Sequence, residues 1–303
     1  MPVLDANAQL TELVLDGHPV RLTNLDRPMF PQAGWRKRHL IEYYLAVARA
    51  ILPHITGRPL SLGRFPDGIT GRGFLQNECR GHPAWMRVLG LDLQSGVRRR
   101  YCVVDDSAGL AWIANLATVE VHPYPIDCDA PTEPVAVIID LDPGPGTDLR
   151  DCSRFALEAR SALAARGLRS AAKTSGGAGL HVVAGVSAKT FEWTRECARD
   201  VAAVLADAFP GCVTADARPS ARRGAVLVDW MQNAQRRSTI APYSLRAAEP
   251  APRVSAPLTW DEVAAIAAGE PPPALDPASV ISRIDRLGDL FLPALQRRSG
   301  AAA

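Results

Sequence analysis

Val135-Ala136-Val137-Ile138-Ile139-Asp140-Leu141-Asp142-Pro143-Gly144 is the stretch on which the fold turns. Residues 135–139 form a continuous, mostly branched apolar run, the texture of a strand buried on both faces. Two carboxylates close it. Side chains alternate along a strand, so Asp140 and Asp142 share a face while Leu141 points the other way. Two such carboxylates repel unless a cation lies between them or one is protonated, which makes a divalent metal an economical reading. A plain strand-end turn is the alternative, because Asp is favoured before Pro and Gly.

Downstream, Thr147 or Asp148 is placed to cap a helix running to about 166, and extended character resumes over 168–173. Gly176 to Gly179 turns into a second apolar strand over 180–186, Thr190 opens an amphipathic helix to about 208, and 225–230 reads as a third strand. This order predicts a helix-covered sheet of the kind that supports nucleotide chemistry. Asp229 falls inside Val226-Leu227-Val228-Asp229-Trp230, where an unpaired carboxylate would cost several kcal/mol to desolvate. A third carboxylate on a neighbouring strand matches a two-metal phosphoryl-transfer site, and oxygen-only ligation points to Mg²⁺ or Mn²⁺.

Two further segments supply complementary groups. In Lys173-Thr174-Ser175-Gly176-Gly177-Ala178-Gly179-Leu180-His181 the glycines let backbone N–H groups converge on phosphate oxygens, Ser175 adds a hydroxyl and His181 a donor. The loop is not a Walker A motif, and a plain turn is the competing reading. After Asp229, Gln232, Asn233, Arg236, Arg237 and Arg246 offer polar and cationic groups for a triphosphate and sugar, or, for Gln232 and Asn233, only a turn cap.

Upstream of 134 the signals concern scaffold. A strand is expected around 20–23, one amphipathic helix over 38–55, short strands and turns over 57–73, and mixed elements over 84–121. Residues 122–134 read as a Pro/Asp-rich connector. Thr259 to Glu262 forms a capping box before a helix over 263–268, and a last helix is expected near 279–290.

Composition sets the bounds. The chain has 303 residues, 47% of them hydrophobic, enough for a substantial core and too apolar for a disordered chain. No apolar run approaches a membrane span, and no leader is evident, so a cytoplasmic, membrane-free protein is expected. The six cysteines (79, 102, 128, 152, 197 and 212) show no metal-ligand spacing and read as reduced packing residues. Net charge is only +2; basic knots at 36–39, 98–100, 222–223 and 236–237 are phosphate contacts or solvated faces.

Taken together, Asp-Leu-Asp-Pro-Gly at 140–144, Thr-Ser-Gly-Gly-x-Gly-Leu-His at 174–181, Val-Asp-Trp-x-Gln-Asn at 228–233 and Ala-Pro-Tyr-Ser-Leu-Arg at 241–246 resemble one family. It is the polymerase domain of bacterial ligase D, in the archaeo-eukaryotic primase superfamily used in non-homologous end joining. Matches at 23–27, 42–44, 57–59, 66–68 and 285–289 extend the resemblance over nearly the whole chain.

The resemblance implies an α/β (α+β) primase-polymerase fold: a central mixed or antiparallel sheet, an RRM-like catalytic core flanked by helices, and an N-terminal α/β lobe. The whole of 1–303 is then one catalytic domain, with a lobe over about 1–125, a core over about 134–247 and a wrap over about 248–303. The implied activity is a nucleotidyltransferase, a DNA polymerase and primase in DNA repair that extends primers or fills gaps with rNTPs or dNTPs, with Mn²⁺ favoured over Mg²⁺. By motif match Asp140, Asp142 and Asp229 bind the metals. Ser175, Gly176, Gly177, His181, Gln232, Arg237 and Arg246 bind the incoming nucleotide, with His122 near its sugar. Arg27 and Lys37 grip a 5′-phosphate at a gap or break, Phe74 and Leu75 lie against the template base, and Arg64 joins them on the DNA.

Lysines common in the family are replaced here by Ala178, Asn77 and Gly63, which predicts weaker phosphate contacts or altered nucleotide choice. The resemblance consumes the chain, so a stand-alone, monomeric, nucleoid-associated member without ligase or phosphoesterase domains is expected, with Ku and a separate ligase as partners by analogy. A second reading is a DNA-end-binding module with weakened catalysis.

Overall fold

The computed structural model describes residues 10–92 and 98–294; the outermost parts of the expected N-terminal lobe and C-terminal wrap, 1–9 and 295–303, lie outside them. Two compact units form. One comprises the described residues of Met1–Tyr124, Ser238–Val254 and Asp276–Gly288, the other those of Pro125–Arg237, Ser255–Leu275 and Asp289–Ala303.

In the second unit the strand Ala136–Pro143 lies inside a six-stranded sheet, in the order Val213–Thr214, Val226–Val228, Ala136–Pro143, Leu180–Gly185, Ser170–Thr174, Pro257–Leu258. Every pairing is antiparallel except that of Val213–Thr214 with Val226–Val228, so the sheet is mixed. Val137, Ile139 and Leu141 are fully buried among Phe155, Leu163, Val201 and Leu205 of the helices Leu149–Ala164 and Phe191–Ala208. Burial on both faces holds only over 137–139; from Asp140 onward the other face opens. Asp148 caps the first of these helices through the amides of Arg150 and Asp151, and Thr190 caps the second through Trp193. The Thr259–Glu262 capping box is present, but its helix begins at Trp260.

The first unit centres on a sheet in which Pro59–Arg64 pairs with Phe74–Gln76, Arg98–Val103 and Thr118–Pro123, while Val88–Asp92 pairs with Arg98–Val103. The single helix expected over 38–55 is two, Lys37–Ala46 and Ala48–Ile55, because Val47 leaves the helical well at φ −92°, ψ 3°. A one-residue break preserves the buried stripe of Leu40, Ile41, Tyr44, Ile51 and Ile55, so periodicity could not reveal it. The last helix spans Pro277–Leu287, capped by Asp276.

Two other expectations are corrected. The supposed connector after residue 121 is ordered: His122 and Pro123 end a strand, and Ile126–Asp127 pairs with Ala130–Pro134. Cys79 and Cys102 are not reduced packing residues but a buried disulfide with Cα atoms 4.9 Å apart. A separation of 23 residues carries no local signal for it; only the return of the chain beside the Arg98–Val103 strand brings the sulfurs together.

Candidate active site

Asp140 and Asp142 stand at the end of their strand on its opening face, as alternation requires, each partly buried, with the Asp140 side chain 14% exposed. Asp229 is not inside a strand. Val226–Val228 ends one residue earlier, and Asp229 begins a 3₁₀ turn over Trp230–Gln232, its carboxylate accepting from the Met231 amide at 3.0 Å. Its amide donates to the Asp140 carbonyl at 2.9 Å, so the backbone sets the two aspartates side by side across the strand pair.

Asn233 makes that placement rigid. Its side chain, 3% exposed, accepts from the Ile138 amide at 2.8 Å and donates to the Ile138 carbonyl at 2.7 Å, tying the turn that carries Asp229 to the strand that carries Asp140. The turn-cap reading of Asn233 therefore understates it. Gln232 closes the turn, and Arg237 is exposed on the loop beyond.

Gly179 lies against the acidic pair. A Cβ there would stand 2.6 Å from the Leu141 carbonyl oxygen and 3.0 Å from Asp142 Oδ1. In the loop before it Ser175 Oγ accepts from the amides of Gly177 at 3.1 Å and Gly179 at 3.2 Å, so these two amides and the hydroxyl satisfy one another. Gly176 has a left-handed backbone, φ +75°, which glycine adopts without strain.

His181 faces Asp140 across the sheet, Nε2 lying 3.2 Å from Asp140 Oδ1 but off the line of a hydrogen bond. Its Nδ1 lies 3.1 Å from Lys173 Nζ, which donates to Ser255 Oγ at 2.7 Å. Lys173, 2% exposed, and Ser255 were not singled out from the sequence; the only local signal was a lysine in a run of small apolar residues. Behind the aspartates Cys152 donates to the Leu141 carbonyl, and burial, reinforced by Asp142, Asp151, Asp148 and Asp140, pushes its thiol far up and keeps it protonated.

Among the described residues no three carboxylate, imidazole or thiolate groups stand close enough to grip one ion. Asp229 is turned to Met231, and His181 stands against Asp140. The donor set nonetheless fits a hard divalent cation in kind: three carboxylates at adjoining strand ends, two on one face and the third joined to them through the backbone.

The remaining sequence candidates lie in the first unit. Lys37 is 4% exposed and donates to the Asn115 carbonyl at 2.8 Å. Burial, then the charges of Arg27 and Arg64, lowers its pKa to about 8. Arg27 donates to the Pro66 carbonyl and stands 4.0 Å from Asp67. Arg64, lowered by burial, donates to the Leu116 carbonyl at 2.8 Å and lies over the Phe74 ring at 5.6 Å. Phe74 and Leu75 are exposed, at 47% and 59%. Lys37 thus lies buried in the fields of Arg27 and Arg64, and Arg64 carries the exposed Phe74 ring, a grouping of cations and apolar side chains suited to phosphate and base. His122 and Arg246 both contact Glu120, a residue the sequence reading passed over.

Comparisons with known proteins bear on the chain as a whole. The profile of the family described as LigD, primase-polymerase domain, matches residues 36–291. The multifunctional non-homologous end joining protein LigD of Mycolicibacterium smegmatis is 36% identical over 285 residues, covering 90% of this chain and 36% of that protein. The bifunctional non-homologous end joining protein LigD of Bacillus subtilis is 29% identical, covering 81% of this chain and 40% of that one. This chain thus spans well under half the length of these relatives. A solved structure of the polymerase domain from Mycobacterium tuberculosis ligase D in complex with DNA superposes with a TM-score of 0.83 at 33% identity, covering 90% of this chain and 96% of that one.

Proposed function

The chain belongs to the LigD primase-polymerase domain family, and from that premise we propose that it is a metal-dependent nucleotidyltransferase adding rNTPs or dNTPs to DNA primers, gaps or ends during break repair. The observation that carries this reading is the setting of the three aspartates, with Asp140 and Asp142 on one face and the Asp229 amide bonded to the Asp140 carbonyl.

Asp140, Asp142 and Asp229 would hold Mn²⁺ or Mg²⁺, which when bound supplies charge neutralisation for the triphosphate and activation of the acceptor 3′-hydroxyl for in-line attack on the α-phosphate. To hold an ion Asp229 would have to give up the Met231 amide and Asp140 its present place against His181, and His181 Nε2 lies beside the acidic pair as a candidate donor to a phosphate oxygen. An anion at this loop would have to compete with Ser175 Oγ for the amides of Gly177 and Gly179. In the second unit Gln232 and Arg237, and in the first His122 and Arg246, are the further candidates for nucleotide contacts, and in the first unit Arg27, Lys37, Arg64, Phe74 and Leu75 are those for the template and a 5′-phosphate. Ku or a separate ligase as partners follows only from the end joining named for the relatives.

The present pose of the carboxylates also suits the second reading, an end-binding module with weakened catalysis. Primer extension on a gapped, 5′-phosphorylated duplex with Mn²⁺ and either rNTPs or dNTPs separates the two. Extension by the native protein that is lost in Asp140→Ala/Asp142→Ala is the expected result. Tight DNA binding without extension under any divalent metal would leave the end-binding module.

A further inference from the structure

In the first unit Thr118–Pro123 runs antiparallel beside Pro59–Arg64, with Gly63 opposite Glu120 and Ser61 opposite His122. Glu120 and His122 are two residues apart on one strand and so share a face. There Glu120 Oε2 lies 2.9 Å from His122 Nε2. The other oxygen, Oε1, accepts from the Ala247 amide at 3.0 Å and faces Arg246 Nε at 3.4 Å. The Glu120 and His122 side chains are 14% and 13% exposed.

Burial by itself would raise the Glu120 carboxyl; the His122 hydrogen bond, the Arg246 charge, the charge of His122 when protonated and the Ala247 amide outweigh it and hold the group below its ordinary value. An ionised carboxylate only accepts hydrogen bonds, so the contact requires a proton on His122 Nε2, and whenever the ring is neutral Nδ1 is the acceptor.

The space for this arrangement comes from the strand opposite. A Cβ at Gly63 would stand 2.8 Å from Glu120 Cβ and 3.3 Å from both Cγ and Oε2. Any side chain at 63, the lysine expected from the family included, would displace Glu120. The glycine is therefore more than a missing cation.

We propose that Glu120 is a positioning residue for nucleotide binding, holding His122 as its Nε2–H tautomer and Arg246 beside it through the two oxygens of one carboxylate, with Gly63 supplying the room. The inference rests on the polymerase reading for the roles of His122 and Arg246 toward the nucleotide. Glu120 need touch no substrate: its effect passes through the two side chains it holds.

The test uses the full chain. Two-bond ¹H–¹⁵N correlation of the imidazoles at pH 8, with His122→Asn for assignment, is expected to show His122 as the Nε2–H tautomer and Glu120→Ala as a mixture. In primer extension Glu120→Ala is expected to raise the nucleotide KM about tenfold with kcat within about threefold, the pattern of lost ground-state binding. Glu120→Gln accepts on only one side and falls between, and it carries the test should Glu120→Ala not fold. Gly63→Ala, with the carboxylate present but displaced, should follow Glu120→Gln. An Nδ1–H tautomer in the native protein, or a Glu120 variant with unchanged nucleotide KM, overturns the inference. If the native protein extends no primer, the polymerase reading fails, while the tautomer and the equilibrium affinity for NTP still decide the role of Glu120 by the same tenfold criterion.

Discussion

At the scale of single residues, chemistry is set by neighbours the sequence does not place. Lys37 is an ordinary lysine on paper, yet burial and the charges of Arg27 and Arg64 bring its pKa to about 8. Its folded pKa lies below the unfolded 10.5, so between these values the unfolded chain binds more protons, and folding stability rises with pH across that window. Anion binding runs the other way, since only the ammonium form attracts a phosphate. The preference for a 5′-phosphorylated gap over a 5′-hydroxyl gap should thus fall as pH rises from 7 to 9. Equal pH dependence of the two affinities would remove Lys37 from the phosphate site. Glu120 makes the same point from the opposite side: it lies within the Glu-Val-His triplet, and only its contacts with His122, Arg246 and Ala247 distinguish it from a surface carboxylate.

At the scale of elements, local rules were legible wherever a segment closes on itself. Asp148, Thr190 and Thr259 cap helices through their own first turns, and the 135–144 run forms the expected strand because alternation and burial are read within it. The misreadings arose where a distant segment decides. Asp229 is a turn residue instead of a strand residue because Asn233 captures both polar groups of Ile138 and bends the chain toward that strand. Asn233→Ala should leave that amide and carbonyl buried and unpaired, costing about 1–3 kcal/mol for each group in chemical denaturation. It should also weaken Mn²⁺ binding by loosening Asp229 from Asp140. A variant of native stability would show that the pin is dispensable.

At the scale of the molecule, a net charge of +2 gives no general attraction for DNA, so the proposed DNA binding would have to come from local clusters. Arg27→Ala should lower the slope of log affinity against log salt by about 1, as expected for one lost phosphate contact. An unchanged slope would place Arg27 off the DNA. No helix among the described residues is long and apolar enough to cross a membrane. The solved LigD polymerase domain matches over 90% of the chain, so the likeness is one of whole architecture and not of a shared motif.

The sequence by itself determined the family, the sheet carrying Asp140 and Asp142, and most helix starts, because motif order, strand alternation and capping are encoded in adjacent residues. Tertiary structure alone decided the break at Val47, the Cys79–Cys102 bond, the Lys173–His181–Asp140 line and the bridging of His122 and Arg246 by Glu120. Most of these join residues far apart in the chain, and the others turn on how far a buried stripe continues or which way a side chain faces. Such contacts exist only once burial has removed water and brought the strands into register.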